Sequence, residues 1–471
     1  MSTTTEQLGG QDRGEEVPVA RIAAASCIGT IIEAYDFVLY GTVAALVFDK
    51  LFFPTADPLV GTLAAFATFG VGFVARPIGG VLFGHFGDKV GRKSMLILTL
   101  LIMGVATVLI GCLPGYNSIG VAAPILLVTL RLVQGLALGG EWGGAVLMVT
   151  EHAPNGRRGF YGSWPQIGFG GGLLISTVII AILTGTLSES AFESWGWRVP
   201  FVLSALLVAV GLWVRLRIEE TPAFARLQEE QSRAKLPAVE VVQKHPGEIL
   251  RAIGMRFSEN ITFYMLIVFA LSYGEEELGI SQSTLLWAIA LSGAGSFIAI
   301  PFFGKLSDRV GRRPVYLWGA IGSVVLAIAF FPLLQTGSVV IIVLAFLVTM
   351  SVTHDAQYGV QAAYFSELFS TRVRYSGLSI SAQVGGVLAG AFSPLIATAL
   401  VAADGGGLTY MTIYFAGMCA VSAVAAYLTP ETFRRPFSGQ DEELADAAPR
   451  GSRFQRAGTE AREADRVGQP R

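Results

Sequence analysis

The chain has 471 residues, of which 52% are hydrophobic and only 14% charged, with a mean hydropathy of +0.58. That is too apolar for a water-soluble protein. The net charge of −2 says little about partners, because the charges gather in short loops and the two tails.

Residues 1–20 carry Glu6, Asp12, Glu15 and Glu16 and lack the basic start and cleavage site of a signal peptide, so the first apolar run is expected to be retained. Apolar runs follow at about 21–47, 60–84, 94–113, 121–148, 160–187 and 199–216. A polar segment, 217–248, leads to runs at 249–274, 283–305, 315–334, 339–364, 376–402 and 407–428. Each run is about 20 residues or more, enough to cross a hydrocarbon core of about 30 Å. Unpaired backbone groups in lipid cost several kcal/mol each, which makes the runs helices. The expected fold is therefore all-α: twelve transmembrane helices in two six-helix halves, 21–216 and 249–428. The stretch 429–471, polar and rich in proline and mixed charge, is expected to be disordered. Cys27, Cys112 and Cys419 stand far apart, without disulfide or metal spacing.

The halves repeat one another. Gly84-His-Phe-Gly-Asp88-Lys-Val-Gly91-Arg92-Lys93 returns as Gly304-Lys-Leu-Ser-Asp308-Arg-Val-Gly311-Arg312-Arg313. Both read G-x-x-x-D-[KR]-x-G-R-[KR] and follow the second apolar run of their half. Glu151 with Arg158 is matched by Glu367 with Arg374, each pair seven residues apart. Internal repeats of membrane helices are the signature of secondary transporters. Lysine and arginine concentrate in the loops after even-numbered runs, which places both termini and the central loop in the cytoplasm.

Within the runs, charged side chains are costly, at about 2.5–3.5 kcal/mol each near mid-membrane, so each needs a use or a partner. Glu33, Asp36 and Tyr40 fall on one helical face. The two acids lie about 18 and 22 Å along the first helix. A carboxylate in a low-dielectric cavity can bind and release protons near neutral pH, so Glu33 or Asp36 is a candidate proton carrier. The competing reading is a structural ion pair with an arginine of another helix. Arg131, with Gln134 one turn on, can hold a carboxylate bidentately, or be the fixed partner of those acids. Glu259 and Asn260, then Tyr264, occupy the seventh run behind Arg256, which is expected to snorkel. His354, Tyr358 and Gln361 share a face of the tenth run, with Asp355 beside them. Glu259, Asn260, Tyr264, His354, Tyr358 and Gln361 are the expected lining of the substrate site, with Tyr40, Arg131 and Gln134. Arg76-Pro77 is expected to mark a kink and a structural charge.

Several strings carry a family resemblance: the paired decapeptides; Glu33-Ala-Tyr-Asp36-Phe-Val-Leu-Tyr40-Gly; Ala75-Arg76-Pro77-Ile-Gly-Gly; and Arg131-Leu-Val-Gln134-Gly135 running into Gly139-Gly140-Glu141-Trp142-Gly-Gly. Over about 21–430 the chain resembles the major facilitator superfamily, and within it the metabolite:proton symporter family. The resemblance implies that the decapeptides and their acidic partners form a cytoplasmic gate. Its members would be Asp88, Arg92, Glu151 and Arg158 in the first half and Asp308, Arg312, Glu367 and Arg374 in the second, with Arg92 paired to Glu151 and Arg312 to Glu367. It also links Arg131 to proton coupling.

No phosphate-binding loop, H-E-x-x-H, C-x-x-C or G-x-S-x-G string occurs, so neither an ATP-driven pump nor a hydrolytic or metal site is supported. The expected activity is import of a small organic solute, a carboxylate such as shikimate or a dicarboxylate, by proton symport through alternating access. It involves no enzyme chemistry and no cofactor beyond the coupling protons. The alternatives are symport of zwitterionic osmolytes such as proline or betaine, facilitated exchange without protons, and a transport-inactive membrane sensor. The expected setting is a monomer in the inner membrane, with a small-molecule substrate and the lipid bilayer as partners and no nucleic acid.

Overall fold

The computed structural model describes residues 19–54, 58–90, 92–139, 141–154, 156–216, 237–369, 374–433 and 435. Among them there is no strand. We number the long helices in chain order. In the first half, α1 is Val19–Phe52, α2 Pro58–Val90 and α3 Arg92–Cys112. The next, α4, is Ala122–Leu138 with its continuation Glu141–His152; α5 is Arg158–Thr186 and α6 Arg198–Leu216. In the second half, α7 is Pro246–Tyr264, prolonged by Met265–Phe269 and Ala270–Glu276. It is followed by α8 (Gln282–Val310) and α9 (Arg312–Leu334). The last three are α10 (Val339–Leu368), α11 (Arg374–Ala403) and α12 (Thr409–Leu428). Among the described residues nine helices are long and apolar enough to cross a membrane, and the bent pair Glu189–Gly196 and Arg198–Val214 makes a tenth.

Three expectations about the chain's course are corrected. The second basic motif is not a loop: α8 runs to Val310, α9 starts at Arg312, and Gly311 alone makes the turn. Its φ of 105° is open to glycine and strained for any other residue. The polar central segment contains a short helix, Pro237–Lys244. Finally, Thr429–Phe433 is anchored to the bundle by specific hydrogen bonds, described below.

Glycine decides which helices can meet. A Cβ on Gly170 of α5 would stand 2.9 Å from Ser296 Cβ of α8, and one on Gly304 of α8 would meet the Gly159 carbonyl of α5 at 2.6 Å. On its other edge α5 presents Gly168 and Gly172 to the α1 backbone. Close backbone approach through small residues is how membrane helices associate when lipid is as apolar as leucine. These contacts bring α5 of the first half along α8 of the second.

The halves also touch elsewhere. Gly41 of α1 faces Val268 of α7 with room for a Cβ only at 3.1 Å, and Phe392 of α11 lies against Gly70 of α2. At the middle, Phe37 meets Tyr264 at 5.6 Å between centroids and Phe169 meets Phe263 at 4.8 Å. With the basic-face contacts given next, the halves touch on both sides of this middle.

Candidate functional site

In the first half, the buried Asp36 of α1 sits at the end of a hydrogen-bond chain. Arg131 Nη1 donates to Gln134 Oε1, Gln134 Nε2 donates to Thr107 Oγ1 at 2.8 Å, and Thr107 can donate to Asp36 Oδ2 at 2.9 Å. Asp36 and Arg131 are therefore coupled through two neutral side chains, and the direct ion pair considered from sequence is not formed. Thr107 of α3 was not foreseen, since a threonine in an apolar run is cheap enough to raise no flag. Arg131 stacks on the Tyr40 ring, with Cζ 3.8 Å from its centroid, while the Tyr40 hydroxyl is bonded to Thr68 Oγ1 at 2.7 Å. A guanidinium over an aromatic face gains cation–π attraction in a dry setting. Glu33, one turn before Asp36, is half-buried where Asp36 is fully buried. Arg76 lies over Phe37 and Phe73, at 4.6 and 4.2 Å.

The second half holds a different cluster. Glu259 Oε1 of α7 receives Arg256 Nη1 at 2.9 Å and Asn260 Nδ2 at 2.8 Å, with Gln361 Nε2 of α10 at 3.3 Å. Arg256, expected to snorkel, points inward instead: it donates to Gln361 Oε1 at 2.6 Å and lies 5.3 Å over Trp142 of α4. His354 Nε2 stands 3.9 Å from Glu259 Oε2, and its Nδ1 lies 2.8 Å from Asp355 Oδ1. Tyr358 packs on the His354 ring at 5.3 Å. Tyr264 closes the space between the halves, with its ring 5.4 Å from both Phe69 and Phe73. The expected lining residues thus divide into an Asp36–Arg131 group and a Glu259–His354 group, separated by aromatic rings.

On the basic face the charges cross between halves. Arg374 of α11 pairs with Glu151 of α4 at 3.6 Å, and Arg158 of α5 with Glu367 of α10 at 4.0 Å. Glu151 was expected to bind Arg92; the side chains of Asp88 and Arg92 lie outside the described residues, and the partner seen is Arg374. The Arg312–Glu367 pair is present and bidentate, at 3.1 and 3.3 Å. Asp308, held by Arg312 at 2.7 Å, accepts the backbone N–H groups of Gly159 and Phe160, both at 2.8 Å. It caps the N-terminus of α5 across the interface, where a helix favours negative charge.

The chain after α12 joins this cluster. Thr432 Oγ1 donates to Glu367 Oε2 at 2.7 Å. Glu431 accepts the backbone N–H of Arg312 and of Arg313, each at 3.0 Å, at the start of α9. Composition gave no sign of this, because the same polar residues suit a free tail.

Two family models match the chain: the sugar (and other) transporter model over residues 22–248 and the Major Facilitator Superfamily model over residues 252–459. The shikimate transporter of Escherichia coli (strain K12) is 45% identical over 416 residues, covering 88% of this chain and 95% of that protein. The proline/betaine transporter of the same strain is 36% identical over 434 residues, covering 90% and 86%. Among solved structures, a proton:xylose symporter bound to 6-bromo-6-deoxy-D-glucose superposes with a TM-score of 0.70 at 18% identity, over 88% of this chain and 96% of that one. At that identity the likeness concerns the fold alone.

Proposed function

The chain belongs to the major facilitator superfamily, in its metabolite:proton symporter family, and from that membership we propose that it imports a small organic carboxylate of the shikimate type together with protons. The observation that supports coupling most directly is the chain Arg131–Gln134–Thr107–Asp36. A buried carboxylate without a direct cation changes charge readily, and the relay carries that change to the guanidinium suited to a substrate carboxylate. Substrate class rests on the relative at 45% identity, whose name is shikimate transporter.

In the proposed cycle Asp36 takes a proton from outside, and the solute docks against Arg131 between the two polar groups. The halves then rock, and the crossed ion pairs of the basic face part toward the cytoplasm, where both termini lie. Membrane potential supplies about 2.3 kcal/mol per charge per 100 mV. At about 1.36 kcal/mol per tenfold this sustains a roughly fifty-fold gradient for each net charge moved.

A second reading, uptake of a zwitterionic osmolyte, is favoured by the proline/betaine relative. Uptake of labelled shikimate, α-ketoglutarate and betaine into membrane vesicles, with and without an inward proton gradient, decides between them. Gradient-dependent shikimate accumulation supports the first reading and betaine accumulation the second. Accumulation of none of the three under a gradient would overturn both.

A further inference from the structure

We propose that His354 and Asp355, with Glu259 opposite, form a proton-binding site in the second half, separate from Asp36. The pair lies where a π-helical turn, Thr349–His354, passes into the α-helical segment Asp355–Leu368. Such wide turns inside helices frequently accompany functional sites.

The argument rests on what each ring nitrogen meets. Nδ1 is 2.8 Å from Asp355 Oδ1, and Nε2 is 3.9 Å from Glu259 Oε2. A neutral imidazole has one donor, so it offers a lone pair to one of these two carboxylates; only the imidazolium presents N–H to both. Asp355 adds to the need. It is fully buried, its Oδ2 has no hydrogen-bond partner, and among the described residues His354 is its only ion-pair partner. An uncompensated carboxylate in such a place is costly, whereas one added proton, on the ring or on the carboxyl, balances the pair.

Among the described residues, the surroundings provide no other cation for Asp355. From α7, Arg256 is committed to Glu259 and Gln361. From α9, Ser323 is bonded to Gln357 at 3.0 Å, and Tyr316 donates to the Met255 carbonyl. From α8, the Ser292 carbonyl accepts from Ser351. Tyr358 on α10 packs its ring on the imidazole and carries no positive charge. Each half thus has an acid on its first helix and a cationic group on its fourth. Arginine in the first half keeps its proton at any physiological pH, whereas histidine in the second can release it. The part this site plays in transport rests on the symport reading above; the binding of the proton does not.

The test needs no substrate. The chain has 4 histidines, so histidine-selective nitrogen-15 NMR of the purified protein, with His354→Gln to assign the signal, reads the ring directly. Carbon-13 labelling of aspartate carboxyls, assigned with Asp355→Asn, reads its neighbour. At neutral pH, where an ordinary imidazole with a pKa of about 6.5 is mostly neutral, the pair is expected to hold one extra proton. A neutral ring beside an ionised Asp355 overturns the proposal, and the wild-type spectra decide this even if a variant fails to fold. For coupling, shikimate accumulation at a fixed pH gradient should drop about tenfold per pH unit in His354→Gln, the loss of one proton of two. An unchanged ratio overturns the coupling role. No accumulation of shikimate in the wild type overturns the shikimate-type reading, and the NMR arm still judges the site.

Discussion

Thr107 on α3 places its hydroxyl 2.9 Å from Asp36 Oδ2 on α1, so the candidate proton carrier is held by a neutral group on a third helix. The other oxygen, Oδ1, is buried without a partner. In Thr107→Val this bond and the one received from Gln134 are both lost, and a second buried Asp36 oxygen is stranded, at about 1–3 kcal/mol. The carboxylate form suffers most, so the pH at which half-maximal uptake is lost should move upward. Uptake against external pH, compared with wild type, checks this.

Replacing the acid itself separates coupling from binding. Asp36→Asn should lower gradient-driven accumulation about tenfold per pH unit of gradient, the loss of its one proton, while counterflow exchange of preloaded substrate persists. Glu33→Gln, at a half-buried position, should leave the gradient response close to wild type. Equal loss of accumulation in both variants would remove the distinction between the two acids.

Arg131→Lys keeps the charge but loses the planar fork and its stacking on Tyr40. A rise of at least tenfold in KM for the transported carboxylate is expected, with a smaller change in maximal rate. Initial-rate uptake over a range of substrate concentrations provides the readout.

The crossed pairs hold the halves together on one face. Glu367→Gln leaves Arg312 without its bidentate partner, and truncating one side of a buried pair typically costs about 3–5 kcal/mol. The equilibrium should shift toward the form open on that face, seen as faster maleimide labelling of a cysteine placed at Ala363, in a background lacking Cys27, Cys112 and Cys419. Glu151→Gln, whose carboxylate is exposed, should change labelling far less.

Much of this architecture was legible in the chain. Apolar runs gave the helices because lipid leaves the backbone no alternative, and the repeated decapeptide gave the two halves. Which charges cross between the halves was not legible. Glu151 and Arg158 are seven residues apart, as are Glu367 and Arg374, yet each arginine binds the acid of the opposite half. Spacing along one chain carries no information about a contact made across an interface. Asp355 was passed over because a 3.6-residue period puts it off the His354 face. The π-helical turn at Thr349–His354 alters that angle, and side-chain contact between adjacent residues made up the rest.

Glu431 also sets a practical limit on engineering this protein. Its carboxylate seats the first turn of α9 from outside the last membrane helix, so the folded bundle takes in the chain beyond that helix. A reporter or affinity tag joined beyond Arg435 should leave folding and uptake intact. The same tag joined at Leu428 removes the seat and should lower both expression and thermal stability, although every membrane helix is still present.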